Sequence, residues 1–282
     1  MNIFSRLISL LKSGFSTDKY YKSMNQALKR LSEEYTMLHY PYYQKDNDSF
    51  LSAQMNLTDF CISRLTPIKG KKVLEIGCGN GVQAKYILRK YSPASMTAID
   101  LNSTNIEIAN TEAERRGIKN IHFQIDDAQK LSTIKTKSMD FILSIESAFH
   151  YPDKSSFLKE IYRVLKPGGS FLIADILTIP RKNTTLRGFW KRKMHLHHWS
   201  RHNYENELFK ARLHINSLSD ITKKVIQGFE NYKNWLKNMK KKNFFDDIFV
   251  KIFLTINVEL NMYLLRSRRQ YCVIVGEKPF KT

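Results

Sequence analysis

Cysteine is scarce. Cys61, Cys78 and Cys272 stand far apart in a chain of 282 residues, with no CxxC pair and no histidine at metal-ligand spacing beside them. Neither a disulfide framework nor a metal site is expected from them, and such usage suits a reducing, cytoplasmic compartment. Long apolar runs are also missing. The stretch Ile248 to Leu254 already contains Lys251, and it falls far short of the roughly 20 residues that a membrane-spanning helix requires. The chain has no internal repeat and no long low-complexity tract, only a short basic turn at Lys240 to Asn243. Solenoid and fibrous architectures are therefore not expected.

What is present is an ordinary globular apolar fraction of 42% and a charge of +20. The charge is local. Residues 181–282 hold 22 Lys and Arg against 8 Asp and Glu, while residues 1–70 and 71–180 contribute only +3 each. A basic C-terminal third implies an anionic partner: a phospholipid surface, a diphosphate or carboxylate on a small substrate, or an acidic carrier protein. Nucleic acid competes with these, because aromatics interleaved with basic residues are also its footprint. At the other end Phe4, Leu7, Ile8, Leu11 and Phe15 recur at helical spacing, broken by Arg6 and Lys12 too early for a signal-peptide core. That segment is either an interfacial membrane helix or a surface helix packed on its own domain.

From Lys72 to Ile176 short apolar runs alternate with helical patterns, the mark of a parallel sheet wound by crossover helices. Strands are expected at Lys72–Ile76, Met96–Leu101, Ile121–Ile125, Phe141–Ile145 and Ser170–Ile176, with helices at Val82–Tyr91, Asn105–Arg116 and Ser155–Leu165. Proline and glycine in Lys166-Pro167-Gly168-Gly169 are expected to stop the last helix and turn the chain. Two later strands, Leu213–Leu218 and Gln270–Val275, would complete a doubly wound α/β fold, a Rossmann-like mixed sheet of seven strands. Residues 1–69 then form a helical segment closing over the site, 70–176 the ligand-binding core, and 177–282 a helical cap around the sixth strand plus the last two strands. The cap is rich in aromatics, among them Phe189, Trp190, Trp199, Phe229, Tyr232, Trp235, Phe244, Phe245, Phe249 and Phe253. They either fill its own core or line a substrate site.

The first strand runs into Glu75-Ile76-Gly77-Cys78-Gly79-Asn80-Gly81. Glycine there lets backbone approach a ligand at the carboxyl end of the strand. Nineteen residues after Gly81, Asp100 ends the second strand, placed to accept hydrogen bonds from ribose hydroxyls. Nicotinamide-binding folds share both parts, but their G-x-G-x-x-G spacing seats a pyrophosphate. This loop is G-x-G-x-G, and its acidic Glu75 would repel a pyrophosphate while suiting a cationic ligand. Asp100 and Asp127 have plainer readings too, as caps of a turn and of a helix.

E-x-G-x-G-x-G, Asp100, Asp127-Ala128 and Arg163-Val164-Leu165-Lys166-Pro167-Gly168-Gly169, in that order, resemble the class I S-adenosylmethionine-dependent methyltransferases. The resemblance covers about residues 70 to 176. It implies that the glycine loop, with Glu75, Gly77, Cys78 and Gly79, borders the methionine part of S-adenosylmethionine. It further implies that Asp100 holds the ribose, that Asp127 binds the adenine amine, and that Leu101, Ala128 and Ile145 contact the cofactor. Upstream, Met37-Leu38-His39-Tyr40-Pro41-Tyr42-Tyr43 is similar to the aromatic segment that closes over the cofactor in these enzymes, with Tyr40 as the implied contact; Pro41 stands where the family usually has glycine.

The segment Glu146-Ser147-Ala148-Phe149-His150-Tyr151-Pro152-Asp153 lacks the Asn/Asp-Pro-Pro-aromatic motif of DNA amino-methyltransferases. It resembles E-S-x-x-H-x-P-D of natural-product and lipid methyltransferases: sugar and polyketide O-methyltransferases, phthiotriol and tocopherol methyltransferases and, more loosely, sterol methyltransferases. That implies a small, mostly apolar acceptor; peripheral membrane contact is instead suggested by the N-terminal helix and the basic cap. His150 is the implied base for a hydroxyl acceptor, with Asp175 as its orienting partner, although a histidine there can equally pack under the cap. Glu146 would steady an acceptor, or a carbocation if carbon is methylated. The oligomeric state has no signature in the sequence.

Overall fold

The computed structural model describes residues 17–32, 34–179, 196–238 and 244–280. Seven strands form one sheet in the order β3-β2-β1-β4-β5-β7-β6. β1 (Lys72–Ile76), β2 (Ser95–Asp100), β3 (Ile121–Ile125), β4 (Met139–Ile145) and β5 (Leu165–Thr178) are parallel. β7 (Arg269–Glu277) runs antiparallel between β5 and β6 (His214–Asp220). Crossovers run through α3 (Val82–Tyr91), α4 (Ser103–Arg115) and α5 (Lys154–Val164). The expected strands are all present, with ends shifted by a few residues.

Alternation along the strands feeds two cores. Val73, Phe141, Leu143, Leu172 and Ala174 pack on one face of the sheet, and Leu74, Ile76, Ile142, Phe171 and Ile173 on the other. A strand buried on both faces reads as a continuous apolar run, which is why these segments were legible without polar alternation. Side-chain caps start the helices: Asn102 accepts from the Asn105 N–H at α4, Asp153 from Ser156 at α5, and Ser200 with Asn203 forms a capping box at α6 (Arg201–Lys210).

The strand β5 is longer than expected. The segment Lys166-Pro167-Gly168-Gly169 belongs to it rather than to a turn, because Gly168 donates to the Lys278 carbonyl at 2.7 Å and Lys278 returns a bond to Gly169 at 2.9 Å. The proline costs the sheet little there, since it sits at the strand's first residues.

The remaining helices gather on the first face. α1 (Thr17–Ser32), α2 (Phe50–Ile62), α7 (Thr222–Asn238) and α8 (Phe244–Ser267) share a core with α3 and α4. Phe50 stacks on Tyr232 at 4.4 Å and on Trp235 at 5.3 Å, so these aromatics join the N-terminal segment to the cap. Gly228 of α7 lies against the Pro41 carbonyl, which a Cβ would approach to 2.3 Å. Phe229, Tyr232 and Leu236 are buried, the core reading of the cap's aromatics. The apolar positions Phe4 to Phe15, Phe189, Trp190, the turn at 240–243 and the side chains of Phe244, Phe245 and Phe249 lie outside the described residues. No helix among the described residues is long and apolar enough to cross a membrane.

Candidate active site

Strand order reverses between β1 and β4, so the crevice at their carboxyl ends is where a ligand is expected. Gly77, Gly79 and Gly81 adopt left-handed φ of 76°, 52° and 72°. Protein side chains crowd two of them. A Cβ on Gly77 would meet Ser147 Cβ at 2.3 Å, and one on Gly81 would meet Ala109 and the Phe123 ring at 2.7 Å. Gly77 and Gly81 leave room for Ser147, just past β4, and for Ala109 of α4 and Phe123 of β3. The Gly77 and Cys78 N–H groups both donate to the Ile99 carbonyl, at 2.8 and 2.9 Å.

Asp100 accepts from the Gly79 N–H and the Asn102 N–H, both at 2.8 Å. Its carboxylate caps the turn between the glycine loop and α4. Asp127 is bonded locally: its Oδ1 accepts from Gln129 backbone and side chain, and Lys130 stands 3.6 Å from Oδ2. The buried neighbour is Asp126, which collects N–H and O–H donors from Asp127, Ser132 and Thr133. Leu101, beside Asp100, is 71% exposed, whereas Cys78, Ala128 and Ile145 are buried.

Glu75 is the strongest sign of a missing partner. It is 1% exposed, and neither carboxylate oxygen has a hydrogen bond. Burial, with a contribution from Asp100, pushes its pKa up to about 8. A buried acid without donors is costly unless a cation completes it. The unpaired carboxyl therefore fits S-adenosylmethionine, whose positive charge would complete it.

The second half of the site lies at the ends of β4 and β5. Glu146 leaves β4 with φ 54°, a left-handed conformation uncommon for a residue with a Cβ. Its N–H donates to Ala174 at 2.8 Å, and its Oε1 accepts from the Tyr40 N–H at 2.7 Å and the Tyr271 hydroxyl at 2.9 Å. Burial raises its pKa to about 8 against those bonds. Tyr40 packs edge-on to Phe229 at 4.5 Å, and its hydroxyl donates to Asn261 of α8 at 2.7 Å. Its described contacts thus lead to the Glu146 side and the cap.

His150 ends a single 3-10 turn, Ala148–His150, and its Nε2 lies 2.8 Å from the Tyr21 hydroxyl. Asp175 reaches that turn through the Phe149 backbone and is otherwise bonded beneath it. Its Oδ1 accepts from the Ile176 N–H and its Oδ2 from the Tyr204 hydroxyl, with the buried Lys154 supplying positive charge. The expected pairing of Asp175 with His150 thus gives way to one with Tyr204, because α6 brings that phenol under β5.

Several site residues escaped sequence reading. Tyr20 and Tyr21 come from α1, Asn257 and Asn261 from α8, Tyr271 from β7, and His198 from the approach to α6. Asn257 donates to the Tyr20 hydroxyl at 3.0 Å, and Asn261 is tied to Asn257, so α1 and α8 meet over the crevice. A paired asparagine at i and i+4 in an apolar helix was a readable signal, as was the histidine cluster at 197–198. The others needed the fold.

A family model described as a methyltransferase domain matches residues 68–249. Among curated proteins, the fatty-acid O-methyltransferase of Mycolicibacterium smegmatis is 43% identical over 108 residues, 38% of each chain. The phthiotriol/phenolphthiotriol dimycocerosates methyltransferase of Mycobacterium tuberculosis is 32% identical over 188 residues, 61% of this chain and 67% of that one. The matches span only about two fifths of the first relatives' own length, 38% and 41%. Among solved structures, a putative sarcosine dimethylglycine methyltransferase from Galdieria sulphuraria superposes with TM-score 0.76 at 18% identity, covering 94% of this chain and 99% of that one. The (4+2)-cyclase SpnF gives 0.75 at 18% identity over 94% and 98%, so the shared architecture hosts more than one chemistry. With more than half of its length matched by that family model, the chain belongs to the methyltransferase-domain family.

Proposed function

We propose that the protein transfers a methyl group from S-adenosylmethionine to a hydroxyl of a small hydrophobic metabolite, lipid-like or polyketide-like. The observation that carries the acceptor class is the 2.8 Å contact between His150 Nε2 and the Tyr21 hydroxyl: a protein O–H already occupies the place that a substrate O–H would take on the imidazole. The two methyltransferases named above, for fatty acids and for phthiotriols, support a lipid acceptor.

S-adenosylmethionine, when bound, supplies a methyl group on a positively charged sulfur. Glu75 offsets that cationic end, and Asp100 holds the sugar. Closure of α1 and α8 over the crevice excludes water, which strengthens each of these interactions. His150 Nε2 takes the hydroxyl proton as the acceptor oxygen attacks, a contribution of typically about 10² to 10⁴ in rate. Glu146, held by Tyr40 and Tyr271, steadies the acceptor.

A second reading, methylation of carbon on a prenyl-like or sterol-like chain, draws on Glu146 itself: a buried carboxyl flanked by the rings of Tyr40 and Tyr271, 6.0 Å apart, suits a carbocation. An RNA or protein acceptor docked on the basic third is weaker. The row Ile252, Ile256, Leu260 and Tyr263 is exposed along one side of α8, and beside so basic a segment it suits peripheral contact with an anionic lipid surface. The three cysteines are free and buried, in keeping with action in the cytoplasm at such a surface.

The deciding experiment incubates the protein with methyl-labelled S-adenosylmethionine and a panel of long-chain alcohols, phenols, fatty acids and prenyl diphosphates. Label in an ether product supports the hydroxyl reading. Label on carbon transfers support to the second reading, and failure to bind S-adenosylhomocysteine sinks both.

A further inference from the structure

His198 has one ring nitrogen engaged and one bare. Nδ1 lies 2.6 Å from the Ile176 carbonyl oxygen, which can only accept, so Nδ1 carries the proton in the neutral ring. Nε2 is then a lone pair. It is shut off from solvent and has no hydrogen-bond partner, although the residue as a whole keeps some exposed surface. Burial, with the positive charges of Arg269 and Lys154 nearby, holds the ring well below the ordinary histidine value and hence neutral. Leaving such an acceptor buried and unpaired is unfavourable.

The position of His198 is built. Ile176 stands near the carboxyl end of β5, the edge that carries the site. The His197 N–H donates to the Phe149 carbonyl at 2.7 Å, tying this segment to the turn that carries His150. The Phe149 ring lies 4.4 Å from the His150 ring and 5.8 Å from the His198 ring, so one phenyl separates the two imidazoles. Behind them the wholly buried Lys154 donates to the His197 carbonyl and packs over Trp199 at 5.6 Å. A buried lysine holding down a neighbouring carbonyl leaves the imidazole little freedom to turn its bare nitrogen elsewhere.

We infer that His198 Nε2 is a second polar subsite for the acceptor: it receives a hydrogen bond from an O–H or N–H group next to the hydroxyl that is methylated, so that the site selects a diol or similar two-donor headgroup over a simple alcohol or a carboxylate. This rests on the methyl-to-hydroxyl reading and deepens it. The lone pair discriminates by chemistry. A second hydroxyl brings the missing proton, a methylene leaves the nitrogen unpaired, and an ionised carboxylate sets negative charge against a lone pair. His150 and His198 would then divide the work, one handling the reacting hydroxyl and the other setting which headgroups enter.

The test uses 1,2-dodecanediol, 1-dodecanol and dodecanoate as probes. Histidine-selective nitrogen NMR on the full chain with bound S-adenosylhomocysteine should show His198 as the Nδ1–H tautomer, with an Nε2 signal that moves on adding the diol and not on adding the mono-alcohol. In turnover the diol should be preferred by roughly 10- to 100-fold in kcat/KM. His198→Asn retains a donor for the Ile176 carbonyl and removes Nε2; it should abolish the preference through KM while S-adenosylhomocysteine affinity stays unchanged. An Nε2–H tautomer, an Nε2 signal indifferent to the diol, or a preference that survives His198→Asn overturns the inference. If neither alcohol is methylated, the hydroxyl reading fails instead, and the NMR response still decides whether Nε2 is a subsite.

Discussion

Ser147 fills the space that Gly77 leaves beside its α-carbon: a Cβ on the glycine would lie 2.3 Å from the serine Cβ and 2.6 Å from its Oγ. The serine is itself fixed, donating to the Ile76 carbonyl at 3.0 Å and accepting from the Tyr151 hydroxyl at 2.9 Å. The glycine loop and the acceptor segment after β4 are thus one packed unit. Gly77→Ala should destabilise the protein by roughly 2–4 kcal/mol, from a left-handed alanine and the overlap together. Ser147→Gly in the same chain should recover the overlap part only, a coupling that thermal unfolding of the four variants in a double-mutant cycle would measure.

Glu75 should make cofactor affinity depend on pH if it faces the cationic end of the cofactor, as proposed. Its folded value of about 8 lies above the ordinary 4.5, so the free protein holds a proton there at neutral pH. Binding of a cationic ligand against the carboxylate should release that proton, and affinity for S-adenosylmethionine should rise as pH goes from 6 to 8. Calorimetry in buffers of different ionisation enthalpy would detect the release. Glu75→Gln should abolish it and weaken binding by roughly tenfold or more.

The same raised value has a stability consequence. A carboxyl protonated in the folded chain and ionised in the unfolded one stabilises fully below pH 4.5 and loses that contribution as pH rises toward 8. Glu146, also raised to about 8, acts in the same direction. Unfolding midpoints of the free protein should therefore fall across this window, and less steeply in Glu75→Gln. For Glu146 the choice of replacement matters: glutamine keeps an oxygen for Tyr40 and Tyr271, whereas alanine should cost about 1–3 kcal/mol by leaving both donors unpaired.

His39 sets the acid limit. It is buried, bonded to the Tyr40 carbonyl at 3.0 Å, and burial lowers its pKa to about 4. Unfolded, it would take up a proton near 6.5, so its contribution is present at neutral pH and is lost as pH falls through 6.5 toward 4, by up to about 3 kcal/mol. His39→Gln should flatten the acid limb of the stability curve without touching the alkaline one.

Lipid contact is checkable apart from chemistry. Sedimentation with anionic phospholipid vesicles should carry the protein down, neutral vesicles should do so far less, and replacing Ile256 and Leu260 with Glu should release it. Equal binding to both vesicle types would count against the charge-assisted contact.

The core strands and the first three crossover helices were readable because each is a local pattern: an apolar run, a cap, a glycine turn. The boundary at Leu165 was misjudged because Pro167 and Gly168 look like a turn until Lys278, more than a hundred residues on, pairs with Gly168 and Gly169. Asp175 was read as a histidine partner from its place at the end of a strand, yet Tyr204 claims it across the β5–α6 layer.

Sequence alone determined the strands of the sheet, the glycine loop and the acidic residues beside it, since spacing within some thirty residues encodes a strand, a turn and a helix N-terminus. Only the tertiary structure decided that Gly77 is a glycine for Ser147, that Tyr21 meets His150, and that His198 points a bare nitrogen from the edge of β5. Those relations join residues up to 129 apart in the chain, and side-chain direction and burial at such separations exist only once the sheet has brought the segments together.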